Sequence, residues 1–259
     1  MEFNNNNRNE SDINVDSLWI IGPRAKGGKR ENYYHGNFVP QIPEQMIRRY
    51  TDKEGIVLDM FMGSGTALFE AENLGRSYIG FDINDDIIAK VIAKMHESDA
   101  KYFIHNCDVT NSEKVSLSLS EDLINIGETG VDLIISHPPY LDIVKFTEKQ
   151  EDLSNISDLG VFIGCFLKGV KNVWPFLKKD KHFVLVIGDL WRNKEVVPLG
   201  FYLMNAIKTT FSCLLKGIVV KDIVGNRGKL GTENIWRQRA LKSDNFLFKH
   251  EYIFVFKKI

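Results

Sequence analysis

From residue 55 to residue 135 the chain alternates short apolar, β-branched runs with helix-forming stretches, the rhythm of a parallel sheet covered by helices. The first unit is the most restrictive. Gly55-Ile56-Val57-Leu58-Asp59 reads as a buried strand ending in an acid, Met60-Phe61-Met62-Gly63-Ser64-Gly65-Thr66 as a tight loop, and Ala67-Leu68-Phe69-Glu70-Ala71-Glu72 as a helix. Strand, glycine loop and helix open a doubly wound, nucleotide-binding sheet. The loop has neither the six-residue dinucleotide fingerprint nor a Gly-Lys-Ser/Thr for phosphates, so it suits a nucleoside-like ligand without a pyrophosphate. Gly63 and Gly65 let the backbone approach that ligand, because a Cβ would collide there or forbid a positive φ.

Two further runs end in acids, Ser77 to Asp82 and Tyr102 to Asp108. Asp82 stands close to the spacing at which an acid receives ribose hydroxyls. Any one Asp after a strand has an ordinary role as a cap or turn residue. Three of them (Asp59, Asp82 and Asp108) along one sheet edge, beside a glycine loop, point to a bound ligand. A fourth run, Val131 to Ile135, leads through Ser136 into His137-Pro138-Pro139-Tyr140. Two prolines fix φ and remove two donors, which leaves the carbonyls of the turn free to accept from outside the chain. With the flat face of Tyr140 beside them, these acceptors suit a planar ligand bearing an amino group, such as a nucleobase. The alternative is a strand that ends at a proline turn with a half-buried Tyr.

Asp59 to Thr66 and His137 to Tyr140 together resemble the S-adenosylmethionine-dependent DNA amino-methyltransferases, which make N6-methyladenine or N4-methylcytosine. The family's first motif has the form D-x-F-x-G-S-G-T, and its catalytic motif the form [D/N/S]-P-P-[Y/F/W]. Tyr34 to Ile47 is similar to the segment that lines the methionine end of the cofactor, and His250 to Lys258 to the last strand. The resemblance spans roughly residues 30 to 258, in the order called the gamma arrangement. It implies a Rossmann-like α/β fold, doubly wound and mostly parallel, with seven strands, an antiparallel last strand and a small inserted recognition segment. It implies S-adenosylmethionine as cofactor and no metal. His35, Asp59, Phe61, Gly63, Ser64, Gly65, Thr66, Asp82, Ile83 and Asp108 become the expected cofactor-binding residues. Within that set Asp59 and Gly63 to Gly65 fall near the amino acid moiety, Asp82 on the ribose hydroxyls and Asp108 on the adenine amino group.

The resemblance breaks at the first residue of the catalytic motif, where this chain has His137 in place of Asp, Asn or Ser. In the family that residue accepts a hydrogen bond from the amino group being methylated. A neutral imidazole can do so on its unprotonated nitrogen, and a protonated one cannot, so the ordinary histidine pKa sets an expected loss of activity below about pH 6.5. His137, Pro138, Pro139 and Tyr140 are the expected catalytic residues. His137 and the Pro138 carbonyl would hold the amino group, and Tyr140 would stack on a base flipped out of its duplex. Adenine N6 is favoured as target over cytosine N4.

Composition permits this reading without singling it out. A chain of 259 residues, 44% hydrophobic, can bury one large core, and a net charge of -1 gives no global signal for nucleic acid. Three scattered cysteines fit buried thiols in a reducing compartment and form no metal-ligand cluster. Without an apolar stretch of membrane-spanning length, a soluble cytoplasmic protein is expected. Residues 1–15, Asn-rich and polar, are expected to be a disordered leader, and 16–259 one domain. Arg24, Lys26, Lys29 and Arg30 sit in a Gly-rich stretch that is either a solvated loop or a grip on phosphates. Residues 141–181 form an insertion on the substrate side, and the loop after Tyr140 is expected to close over the substrate.

Between the last two strands, residues 216–249 carry eight Lys/Arg against three acids. Arg227, Lys229, Trp236, Arg237, Arg239 and Lys242 combine cations with an aromatic ring, as phosphate contact and base stacking require, so DNA is the expected partner. The alternative is a solvated hairpin whose Trp packs on the sheet. The segment is short for reading a long site, so either the site is short or a second copy or a partner restriction or defence component adds contacts. An RNA base methyltransferase, a protein glutamine methyltransferase and a non-catalytic DNA-binding protein with a degraded site remain as alternatives.

Overall fold

A computed structural model describes residues 12–30, 36–224 and 233–259. Its centre is a sheet whose middle strands are buried on both faces, which is why they read as continuous apolar runs. These are β2 (Ile56–Asp59), β3 (Ser77–Asp82), β5 (Val131–Ser136) and the second half, from Phe183, of β6 (Leu177–Ile187). On one side the sheet ends in β4 (Tyr102–Asn106). On the other it continues through β10 (His250–Lys258) and β9 (Cys213–Asp222) to β1 (Leu18–Trp19), in the order β1-β9-β10-β6-β5-β2-β3-β4. Only β10 runs antiparallel to its neighbours. The seven strands implied by the resemblance are joined by an eighth, the two-residue β1, paired in parallel to β9.

Strand alternation divides the core into two layers. Val57, Leu133, Ile135, Val184 and Val186 face α1 (Gln41–Tyr50), α2 (Thr66–Asn73) and α3 (Asp85–Met95), which contribute Ile42, Met46, Leu68, Val91 and Met95. Leu58, Ile134, Phe183 and Leu185 face α4 (Ser112–Ile126), α5 (Leu159–Val173) and α6 (Leu199–Thr210), which contribute Leu119, Phe162, Phe166 and Leu203. Helix starts follow the sequence: Asn84, Asn111 and Asp158 each accept an amide N–H of the first turn through the side chain. Helix α5 ends at Val173, because Pro175 sits in a short 3₁₀ turn and Leu177 begins β6.

The strand order fixes where a ligand can sit. From β2 the chain moves outward to β3 and β4, then returns to place β5 on the other side of β2, so the crossovers part between β2 and β5. The crevice beyond the carboxyl ends of those two strands is the switch point of a doubly wound sheet.

Two expectations change at the N-terminal end. The leader does not extend to residue 15, because residues 12–14 are tied to α1: Gln45 donates to the Asp12 carbonyl at 3.0 Å and accepts from the Asn14 amide at 2.8 Å. Residues 1–11 lie outside the described residues. The basic loop is not a set of free cations either. Arg30 makes a bidentate pair with the buried Glu70, Lys29 pairs with Glu72 at 2.6 Å, and Arg24 donates to the Phe38 carbonyl at 2.7 Å. Buried and half-buried acids on α2 take these charges first. Among the described residues no helix is long and apolar enough to cross a membrane.

Candidate active site

The glycine loop leaves β2 at Asp59, a buried residue whose carboxylate holds the turn from behind. Its oxygens accept the Phe61 amide at 3.1 Å and the Tyr78 hydroxyl at 3.2 Å. Burial pushes the Asp59 carboxyl up to about 7; those two donors oppose the rise and Asp82 adds to it. Gly63 and Gly65 have φ of 51° and 79°. A Cβ on Gly65 would stand 3.1 Å from both Phe69 and Val91, so this glycine lets α2 pack against α3. Neither Asp59 nor Gly65 reaches the cavity wall, whereas Phe61, Gly63, Ser64 and Thr66 line it.

Asp82 closes the loop from the next strand. One oxygen accepts the Gly63 amide at 2.7 Å and the other the Asn84 amide at 2.9 Å, while the side chain borders the cavity with Ile83. Burial raises its pKa against these amide bonds, and Asp152 adds to the rise. Asp108, two residues beyond the end of β4, also lines the cavity. Thr110 donates to it from its amide at 2.8 Å and its hydroxyl at 2.6 Å. The upstream segment joins the site through Asn37, which donates to the Ser64 hydroxyl at 3.0 Å.

The His-Pro-Pro-Tyr turn forms the opposite wall. The His137 ring lies 5.0 Å from that of Phe38 and 5.8 Å, edge-on, from that of Tyr140. Burial lowers its pKa to about 4; Glu251 raises it and Lys221 lowers it further. The Tyr140 hydroxyl stands 3.5 Å from His137 Nε2 and donates to Glu251 Oε2 at 3.4 Å. Lys221 Nζ donates to Glu251 Oε1 at 2.9 Å, and both side chains are buried. Gly188 makes room for the tyrosine, since a Cβ there would lie 3.0 Å from its ring. Ser136, one residue before His137, has a buried hydroxyl with no hydrogen-bond partner among the described residues and does not line the cavity. A register slip that put serine in the role of His137 therefore finds no support.

Glycine loop, Asp82, Asp108 and His137 to Tyr140 share one cavity of about 820 Å³. The loop after Tyr140 lines this cavity through Ile143, Val144 and Phe146 and crosses to the Asp82 side. The Phe146 ring sits against Gly36, the Phe146 carbonyl accepts from Asn84 at 3.3 Å, and Lys149 donates to the Ile83 carbonyl at 2.7 Å and pairs with Asp85 at 2.5 Å.

His35, Arg227 and Lys229 lie outside the described residues. Trp236, Arg237, Arg239 and Lys242 fall on α7 (Glu233–Lys242), a helix where a hairpin was one alternative. The Arg239 guanidinium covers the Trp236 ring at 5.1 Å, and Arg237, Arg239 and Lys242 are exposed. No α7 residue lines the cavity; Lys221, Ile223 and Val224, earlier in the 216–249 segment, do. Sequence reasoning missed Glu251 as a site residue and counted Lys221 only as one cation among eight. The available signal was two opposite charges at the ends of apolar strands, and the ladder sets them directly across from each other.

Comparison with known proteins agrees with the glycine-loop side of this site. Residues 2–94 match the family model described as DNA methylase, of the N6/N4 type. The match takes in the glycine loop and Asp82 and stops before His137. A Type II methyltransferase of Methanocaldococcus jannaschii, M.MjaII, is 41% identical over 51 residues, which are 20% of this chain and 10% of that protein. A tRNA (guanine(10)-N2)-dimethyltransferase of the same organism is 28% identical over 148 residues, 55% of this chain and 41% of that one. M.ScaI of Streptomyces caespitosus, another Type II methyltransferase, is 27% identical over 92 residues, 34% of this chain and 30% of that one. The chain thus spans well under half the length of these curated relatives. Among solved structures, YJHP from E. coli superposes with a TM-score of 0.51 at 14% identity, covering 90% of this chain and 98% of that one, a likeness of fold.

Proposed function

We propose that this chain, which is similar to the DNA N6/N4 amino-methyltransferases, moves a methyl group from S-adenosylmethionine to the exocyclic amino group of a nucleobase in DNA, adenine N6 ahead of cytosine N4. One observation carries the reading: the glycine loop, two carboxylates and the His-Pro-Pro-Tyr turn open onto the same cavity at the switch point of the sheet.

The residues present fit the cofactor. Asp82 accepts backbone amides, Gly63 at 2.7 Å and Asn84 at 2.9 Å among them, and still borders the cavity, where its remaining acceptor capacity suits a ribose hydroxyl, and Gly63 puts bare backbone on the wall. Met60, Phe61 and Ile83 supply apolar surface for an adenine ring, with Asp108 as acceptor for its amino group. Asp59 acts from behind, by fixing the Phe61 amide. When bound, the cofactor supplies an electrophilic methyl group on a sulfonium sulfur.

The chain's own work is to position the amine. An exocyclic amino nitrogen is a weak nucleophile because its lone pair is delocalised into the ring. Neutral His137 accepts a hydrogen bond from one amino N–H and the Pro138 carbonyl accepts one from the other, so the nitrogen turns pyramidal and its lone pair points along the line of displacement. Tyr140 stacks on the base, which a duplex can deliver only by flipping it out. The exposed cations of α7 hold the phosphates of the flanking nucleotides.

A base in structured RNA is the second reading, favoured because the tRNA methyltransferase match runs over more of this chain than either DNA enzyme quoted above. Labelled methyl transfer from S-adenosylmethionine to unmethylated DNA and to tRNA, followed by nucleoside analysis, decides between them. N6-methyladenine in DNA is the expected product. Label confined to RNA installs the second reading, and cofactor binding without label in either polymer leaves only a degraded site.

A further inference from the structure

Lys221 is 4% exposed and lines the cavity, yet among the described residues its only hydrogen-bond partner is Glu251. An ammonium has three donors, and a buried donor without an acceptor is destabilising, so the two that remain call for an acceptor supplied from inside the cavity. Its neighbours say which end of the cavity that is. Glu251 links Lys221 to the Tyr140 hydroxyl, and that hydroxyl lies beside His137, so the pair stands at the His-Pro-Pro-Tyr wall. A phosphate stays in the solvated mouth of such a cleft, whereas a base edge reaches its inner wall.

We propose that Lys221, held by Glu251, is a specificity-determining residue that donates a hydrogen bond to the ring nitrogen next to the target amino group. This inference rests on the methyl-transfer reading. Adenine N1 and cytosine N3 are both acceptors adjacent to an exocyclic amine, so the same donor serves either base. The carboxylate has a matching part. A bare ammonium on that nitrogen would draw the amino lone pair further into the ring, and Glu251 at 2.9 Å offsets that charge. The pair belongs to the ends of β9 and β10, in direct cross-strand register, so the last two strands place the reader without any movement of the α7 segment.

The test compares an oligonucleotide carrying the base that the wild-type protein methylates with one carrying its deaza analogue, which lacks that ring nitrogen (1-deazaadenine or 3-deazacytosine). The wild type should favour the natural base in kcat/KM by at least about tenfold. Lys221→Met should bring the two substrates close to parity by losing activity on the natural base, and Lys221→Arg should restore part of the preference. A pair that only supports the fold would lower both rates alike and keep the preference. Because Lys221→Met leaves Glu251 buried alone, the double variant Lys221→Met/Glu251→Met, which removes both charges, is measured beside it. Unchanged discrimination in the folded variants overturns the proposal and leaves the methyltransferase reading standing. A wild-type protein that labels no nucleic acid overturns both.

Discussion

His137 accepts a hydrogen bond from the substrate amine only while its ring is neutral, and its surroundings decide the pH range in which that holds. Burial pushes the imidazole down to about 4, below the ordinary value near 6.5 used to set the sequence expectation. The sign follows directly: a lowered pKa keeps the acceptor form present as pH falls from neutrality, and it is lost only as pH falls through about 4. With cofactor and nucleic acid saturating, kcat should stay flat from about pH 8 to about pH 5, where an ordinary histidine would already have cut it. A midpoint near 6.5 would remove His137 from the acceptor role or open its pocket to water. His137→Ala should lose about 100-fold or more in transfer while cofactor affinity stays unchanged, because Asp82 and the glycine loop hold the other half of the cavity. The residue type and its place after a strand were legible in the sequence. The size of the pKa shift was not, since it depends on Phe38, Glu251 and Lys221, which are distant along the chain.

At the scale of elements, the parallel unit from β2 to β5 could be read because β2, β3 and β5 are buried, mostly apolar runs closed by a polar residue, and α3 and α4 start at Asn caps. Two elements escaped for local reasons. The hairpin of β7 (Leu190–Arg192) and β8 (Glu195–Val197) turns on Asn193 and Lys194, both at positive φ and neither a glycine, so the usual turn signal was missing. The helix α7 has no regular apolar stripe, and Glu-Asn-Ile-Trp-Arg-Gln-Arg-Ala-Leu-Lys reads equally as an exposed turn. Its exposure is what makes it a candidate phosphate contact, since the cations of residues 24–30 are largely engaged by Glu70, Glu72 and Phe38. Replacing Arg237, Arg239 and Lys242 together by alanine should therefore weaken DNA binding at every sequence alike. If all three touch phosphates, the slope of log affinity against log salt should shrink by about 2.7, at roughly 0.9 per contact. An unchanged slope would assign α7 to another role and return the phosphate contacts to residues elsewhere.

Across the whole molecule, the cavity draws its wall from places far apart in sequence: Asn37 and Phe38 before the sheet, the ends of β2, β3 and β5, the roof around Phe146, and Lys221 and Glu251 on the last strands. The acid-ended strands and the glycine loop announced the near wall, because a strand, its acid and its turn are neighbours in the chain. The far wall was hidden, since only the antiparallel return of β10 beside β9 sets Glu251 across from Lys221. A ligand that fills such a cavity joins segments that otherwise meet only through the core, so its binding free energy adds to the stability of the whole sheet. At a hundred times its dissociation constant a ligand specific to the folded state contributes about 2.7 kcal/mol. For a chain of this size each kcal/mol moves the melting midpoint by about 2–4 °C, so S-adenosylmethionine or its demethylated product should raise Tm by roughly 5–10 °C. Asp82→Ala should erase most of that rise, because it removes the acceptor for the ribose hydroxyls and unpairs the Gly63 amide that shapes the loop. Adenosine, which lacks the amino acid arm, should give a smaller rise. Equal shifts with adenosine and with the full cofactor would mean that the glycine loop does not hold that arm, and the assignment of Gly63 to Gly65 would fall while Asp82 kept its place.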